Sequence, residues 1–299
     1  MQSQWTRNNG SLMKQINTCL IIDTETNGNQ EEPTVLEIGA IFYSVAEQTI
    51  LSCGSSLFSI EPNSDIVNNA ELINKIPISA LKTSHVGESR FRDYLETVYH
   101  EADAIVAHNK SFDQPLVLEL GFKDKLWLCT YKDFELFPDA YPGKRDLISL
   151  AQFYGVGINI SHRAINDCLL LAEVFNRVPN LIEQFRIAQL PIIEAVCPKS
   201  EESLKFLGFQ WDYNLQGWFK KDKQESFDFP IIRSPEVRHL FRAFVSYDNR
   251  QIAKNWGFSW NPVRKAWERL LNPEAIDLLP FPIVEIEKDL TLETLASST

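Results

Sequence analysis

Asp23-Thr24-Glu25 sets two carboxylates at alternate positions immediately after the apolar run Cys19-Leu20-Ile21-Ile22. Alternate side chains of a strand share a face, so Asp23 and Glu25 converge at the strand's end. Paired carboxylate oxygens form a hard site suited to Mg²⁺ or Mn²⁺, although such a pair alone is also an ordinary solvated strand end. Two further segments add to it: His108-Asn109-Lys110-Ser111-Phe112-Asp113, and His162-Arg163-Ala164-Ile165-Asn166-Asp167. Five residues turn about 140° around a helix, so His162 and Asp167 do not stack on one helical face. His162 is expected in a loop or first turn, leaning over a site that Asp167 enters from the helix. An imidazole with a pKa near 6.5 suits a general base at neutral pH. Carboxylates crowded together raise one another's pKa unless divalent cations neutralise them, so such a cluster implies a metal by charge alone. No Cys/His cluster exists to make a structural zinc site.

Strands alternating with helices are what would position these residues. Apolar runs predict strands at Leu20–Glu25, Val35–Tyr43, Leu57–Ile60 and Ala104–Ala107. Helical spacing predicts helices over 88–100, 113–120, 146–154 and 163–176, the last with Ala164, Cys168, Leu171, Ala172 and Phe175 on one side. The result is an α/β domain over 17–190, preceded by a polar N-terminal arm at 1–16. A Pro-bearing stretch at 191–200 reads as a linker. With 44% hydrophobic and 23% charged residues, the bulk of the 299-residue chain is globular. The N-terminal apolar run is too short for a signal-peptide core or membrane span. Five cysteines, scattered and odd in number, read as reduced thiols, and so as a cytoplasmic protein.

Residues 201–284 read as a second, smaller α+β domain built from a repeated Gly-Phe-x-Trp unit, with a polar tail at 285–299. Gly208-Phe209-Gln210-Trp211 is followed by Trp218, and 49 residues later Gly257-Phe258-Ser259-Trp260 is followed by Trp267. A lysine, Lys205 or Lys254, stands three residues before each glycine. Fixed spacing is what a packed core demands, so most of these tryptophans are expected inside. The competing use is base stacking, with Lys205, Lys220, Lys254, Arg264 and Lys265 tracking phosphates. Charge divides along the chain. The net charge is −11, yet Lys199–Leu270 holds 13 Lys and Arg against 9 Asp and Glu. A carboxylate-rich part is thus joined to a mildly basic one.

The three acidic segments, in this order, resemble the DEDDh (DnaQ-like) 3′→5′ exonucleases, a family that includes polymerase proofreading subunits, exonuclease X and oligoribonuclease. Ile22-Asp23-Thr24-Glu25-Thr26, His108-Asn109-x-x-Phe112-Asp113 and His162-x-x-x-x-Asp167 match its motifs over about residues 17–180. Cys129-Thr130 and Leu136-Phe137-Pro138 resemble the exonuclease X-like branch. Where the family carries His-Gly-hydrophobic-Thr, this chain reads Ser84-His85-Val86-Gly87-Glu88. The resemblance implies a ribonuclease H-like mixed sheet flanked by helices. It implies two Mg²⁺ or Mn²⁺ ions held by Asp23, Glu25, Asp113 and Asp167, with His162 as general base. It also implies substrate contacts from Thr24 and Thr26. His108 and Asn109, also candidates for substrate contact, are expected mainly to fix the loop before the helix. The expected partner is nucleic acid, single-stranded DNA ahead of RNA, with a protein partner for the C-terminal repeat as a further option. The alternatives are an exoribonuclease or a non-catalytic binding protein on a nuclease fold. No membrane association is expected.

Overall fold

The computed structural model describes residues 14–82, 87–137, 143–158, 162–213, 215–222, 226–233 and 237–286. Most of the N-terminal arm, the Ser84-His85-Val86 departure, Pro138 and the tail beyond 286 lie outside the described residues. The chain divides into two compact units, Met1–Gln189 and Leu190–Thr299.

Unit 1 is built on five strands: β1 (Thr18–Thr26), β2 (Val35–Ser44), β3 (Thr49–Leu57), β4 (Ala104–Ala107) and β5 (Trp127–Cys129). Their order is β3-β2-β1-β4-β5. The first three pair antiparallel, while β4 and β5 run parallel to β1. The helices are α1 (Glu71–Asn74), α2 (Ile78–Leu81), α3 (Glu88–Glu101), α4 (Lys110–Glu119), α5 (Leu147–Phe153), α6 (Ala164–Phe175) and α7 (Leu181–Ala188). This is the mixed, helix-flanked sheet of a ribonuclease H-like fold. The third strand lies earlier than the predicted Leu57–Ile60, because residues 49–56 are mostly small and polar and leave little apolar periodicity to read. Of the arm, Ile16 is buried and Lys14 pairs with Asp103.

The period of two in β1 sorts the core. Cys19 and Ile21 join the cluster containing Leu171 and Phe175 of α6, whereas Leu20 and Ile22 join the one containing Leu95 of α3 and Val117 of α4. Each fully buried Leu, Ile or Phe contributes about 1.5–3 kcal/mol, so both faces of the sheet are firmly covered. Continued into the acidic segment, the same alternation sends Asp23 and Glu25 toward α6 and Thr24 toward α4.

Unit 2 contains two four-stranded antiparallel sheets. The first orders β7-β8-β6-β9, from β6 (Ile192–Ala195), β7 (Gln210–Asp212), β8 (Gly217–Lys221) and β9 (Ile231–Ile232), with helix α8 (Ser203–Phe206). The second orders β11-β12-β10-β13, from β10 (His239–Ala243), β11 (Ser259–Asn261), β12 (Ala266–Leu271) and β13 (Ile283–Glu285), with helix α9 (Arg250–Asn255). The expected linker at 191–200 is corrected. Ile192–Ala195 is an interior strand, with Ile193 and Ala195 buried and Glu194 held by two arginines. Its flanking prolines, Pro191 and Pro198, are strand punctuation. Trp218 is buried and Trp211 and Trp267 are partly so, whereas Trp260 remains half exposed.

Candidate active site

The end of β1 and the start of α6 meet because of one glycine. Gly39 of β2 lies opposite Asp23 in the sheet register, and a Cβ there would stand 2.4 Å from the backbone carbon of Ala164. Only a residue without a side chain lets the first turn of α6 approach this closely. Glu37, two residues earlier and opposite Glu25, fixes that turn. Its carboxylate accepts from Arg163 Nε and Nη2 at 2.7 and 2.8 Å and from the Ala164 N–H at 3.2 Å. This forked ion pair anchors the residues on either side of the helix start.

Asp23, Glu25 and Asp167 are thereby gathered, with one carboxylate oxygen from each lying within 4.8 Å of the others. Burial pushes Asp23 well above the usual carboxylate range, and the charges of Asp113, Asp167 and Glu25 push it further. Glu25 is raised to about 7 by burial first and then by Asp167 and Glu37, against the pull of Arg163. Burial raises Asp167 as well, opposed by His162. Three hard oxygen donors that repel one another fit a divalent metal.

Asp113 is not one of these three, although its charge is the foremost of those acting on Asp23. It is buried, and its Oδ1 accepts from the Thr24 backbone N–H at 2.9 Å and the Thr24 hydroxyl at 2.8 Å. Burial raises it to about 7, although the Thr24 hydrogen bonds pull the other way. Thr24 therefore serves to position Asp113, because its side chain lies on the α4 face of β1. Thr26 is buried too, its hydroxyl accepting from the Gly28 N–H and its carbonyl from the Asn74 side chain. Each hydroxyl thus has an internal partner beside the substrate contacts expected of Thr24 and Thr26.

His162 stands just before α6, with φ of 61° and its side chain exposed. Its backbone N–H points at both Asp167 oxygens, at 3.3 and 3.4 Å. His108 bridges two loops: Nε2 donates to the Arg145 carbonyl at 3.1 Å and Nδ1 accepts from the Thr130 hydroxyl at 2.9 Å. Burial lowers its pKa and keeps it neutral. The side chain of Asn109 accepts from the Ser111 hydroxyl, and its backbone carbonyl accepts from the Phe112 N–H. The positioning residues Glu37, Gly39 and Arg163 escaped the sequence reading. A glutamate in the apolar run Val35-Leu36-Glu37-Ile38-Gly39 was the available signal.

A family model described as a domain of unknown function (DUF8626) matches residues 239–286. DNA polymerase III PolC-type of Thermotoga petrophila is 27% identical over 183 residues, 59% of this chain and 13% of that one. The matched region is thus a small part of that relative. Among solved structures, E. coli exonuclease I in complex with a dT13 oligonucleotide aligns over 89% of this chain and 68% of its own, at 14% identity and a TM-score of 0.50. Exonuclease X in complex with 5′ overhanging duplex DNA aligns over 57% and 99% at 24% identity and a TM-score of 0.40. The exonuclease I likeness shows the fold, and the chain resembles the DEDDh exonucleases in fold as well as in the order of its motifs.

Proposed function

We propose that unit 1 is a divalent-metal-dependent 3′→5′ exonuclease that hydrolyses phosphodiester bonds at the 3′ end of single-stranded DNA, releasing nucleoside 5′-monophosphates. The supporting observation is the meeting of Asp23, Glu25 and Asp167, with one carboxylate oxygen from each within 4.8 Å of the others. These three residues, with Asp113, would hold two Mg²⁺ or Mn²⁺ ions, which when bound supply charge neutralisation and water activation. His162 accepts the proton of the attacking water, and its exposure lets that proton pass on to solvent. Thr24 holds Asp113 in place, and Glu37 with Arg163 sets the distance between the helix-borne and strand-borne groups. A cytoplasmic setting, read from the free cysteines, belongs to the same proposal. Among the described residues no helix is long and apolar enough to cross a membrane.

The test is incubation of 5′- and 3′-labelled DNA and RNA oligonucleotides with Mg²⁺, Mn²⁺ or EDTA. Shortening of 5′-labelled DNA one nucleotide at a time, abolished by EDTA, is the expected result. Faster loss of RNA would move the substrate to the exoribonuclease alternative, and intact oligonucleotides in every metal would leave a binding module.

Residues 191–232 and 239–286 form, in this reading, two copies of one unit. Both sheets have the same order and pairings, with the strand preceding the short helix in an interior position. Gly208 and Gly257 take φ of 83° and 79°, and Trp211 faces Trp218 across strands as Trp260 faces Trp267. The matched family region covers only the second of these.

A further inference from the structure

We propose that unit 2 joins whole chains head to tail, the first-copy end of one chain seating on an open sheet face in the second copy of another; this rests on the reading of residues 191–232 and 239–286 as two copies. The junction between the copies within one chain is the pattern for it. There the first sheet turns one face to the second copy. Glu194 of β6 accepts from Arg238 and Arg269, and Val196 and Ile232 lie in the hydrophobic cluster of Phe241, Phe258 and Leu271. The second copy meets the first with the end of α9. The Lys199 N–H donates to the Asn255 carbonyl at 2.7 Å, and Trp256 packs on the same cluster. A Cβ on Gly257 would stand 2.7 Å from the Gln216 carbonyl oxygen, so the two backbones approach closely here.

The same face of the second sheet is open. Arg242 of β10 holds the register position of Glu194: Glu194 lies opposite Phe219 and Ile232, and Arg242 opposite Glu268 and Val284. Two residues further on, the Val196 N–H donates to the Pro230 carbonyl and the Phe244 N–H to the Pro282 carbonyl, each at 2.9 Å. Equivalent positions then differ sharply in exposure. Ile232 is 1% exposed and Val196 8%, whereas Val284 is 45% exposed and Phe244 59%. Arg242 pairs with Glu268 inside its own sheet, so an outer contact on this face rests on the apolar side chains.

The opposite end is open as well, and this decides the occupant. Lys205-Phe206-Leu207-Gly208-Phe209 of the first copy aligns with Lys254-Asn255-Trp256-Gly257-Phe258 of the second. Lys220 lies against Gly208 as Arg269 lies against Gly257. Phe206 and Leu207 therefore stand where Asn255 and Trp256 form the inner junction, yet Phe206 is 92% exposed and Leu207 half exposed. End units of a stack are normally capped by polar side chains, and exposed apolar surface of this kind marks an interface. Here each end carries one apolar half of the inner junction, and only a second copy of this chain brings the other half by construction. Such a contact is heterologous, so it builds rings or open chains.

The experiment is sedimentation velocity of the full chain over a range of concentrations. Wild type is expected to gain mass as concentration rises. Phe206→Glu and Phe244→Glu each place a charge at an exposed position, so both variants should melt like wild type while staying monomeric. An equimolar mixture of the two should form a dimer of one chain of each kind and nothing larger, because each keeps the half that the other has lost. Wild type that stays monomeric at every concentration would overturn the proposal and leave the face to a different protein. Variants that associate like wild type would overturn it too. So would a mixture that stays monomeric, since a symmetric contact between identical patches cannot be restored in this way. Cleavage in Mg²⁺ is scored separately, and none of these outcomes bears on the nuclease reading, because Phe206 and Phe244 lie outside unit 1.

Discussion

Both units bury carboxylates, and they treat them in opposite ways. In unit 2, Glu194 is buried against Arg238 at 2.7 Å and Arg269 at 3.3 Å. Burial lowers Arg269 to about 10, which leaves it charged at neutral pH. Although burial pushes Glu268 up, hydrogen bonds from Arg264 and Asn261 hold it below its usual value. In unit 1, Asp23, Glu25 and Asp167 face one another, and every one of them is pushed upward. The contrast separates carboxylates that hold the fold from carboxylates that await something. Removing one partner of a satisfied buried pair strands a charge and destabilises by about 3–5 kcal/mol. Removing one of several repelling groups relieves strain. Glu37 marks the boundary between the two kinds: it lies on the same face as Asp23 and Glu25, yet it is paired with Arg163 and does structural work.

The contrast can be broken first by neutralising the unpaired group. Asp23→Asn or Asp167→Asn should remove nearly all nuclease activity while the metal-free melting temperature stays level or rises. Gel assays of cleavage beside thermal melting check this, and retained turnover would misplace the site. His162→Ala should lower the rate by about 10²–10⁴, the usual worth of a positioned general base. Metal binding should persist, and an unchanged rate at neutral pH would remove His162 from the chemistry.

Gly39→Ala sharpens the comparison from the packing side. Its methyl group meets the α6 backbone, and overpacking of this kind costs about 1–3 kcal/mol. Activity should fall further than stability, because the displaced helix carries Asp167. Equal kcat for this variant and wild type would show that the close approach is unimportant.

The smallest effect is in pH. Glu25 ordinarily titrates near 4.5 and is raised to about 7 in the fold, so the folded chain holds that proton more tightly than the unfolded one. Its contribution to metal-free stability is full below about pH 4.5 and is lost as pH rises through 7. Glu25→Gln should therefore narrow the fall in melting temperature between pH 4.5 and 7, by about 2–4 °C per kcal/mol relieved. Parallel melting curves for the two proteins would contradict the assignment.

Much of this was legible in the sequence for a definite reason. The alternation of Leu20, Ile21, Ile22, Asp23 and Glu25 is a local property, and local periodicity gives both the strand and the faces of its side chains. The three segments that resemble the DEDDh motifs were readable through that resemblance, each motif being short and contiguous in the chain. What stayed hidden was long-range. That Thr24 would be used by Asp113, and that Glu37 would clasp Arg163, depends on partners 89 and 126 residues away. The mistaken linker had a different cause: a four-residue strand between prolines carries too few residues to show a period.

Mn²⁺ binding to the full chain, followed by the loss of the free-ion magnetic resonance signal, tests the central claim most directly. Wild type should take up Mn²⁺, at up to two ions per chain, with tighter binding as pH rises from 5 to 8 and the carboxylates shed their protons. Asp23→Asn should lose most of that uptake. Equal Mn²⁺ uptake by wild type and Asp23→Asn, or none by either at millimolar metal, would show that the uncompensated carboxylates of unit 1 do not form a metal site.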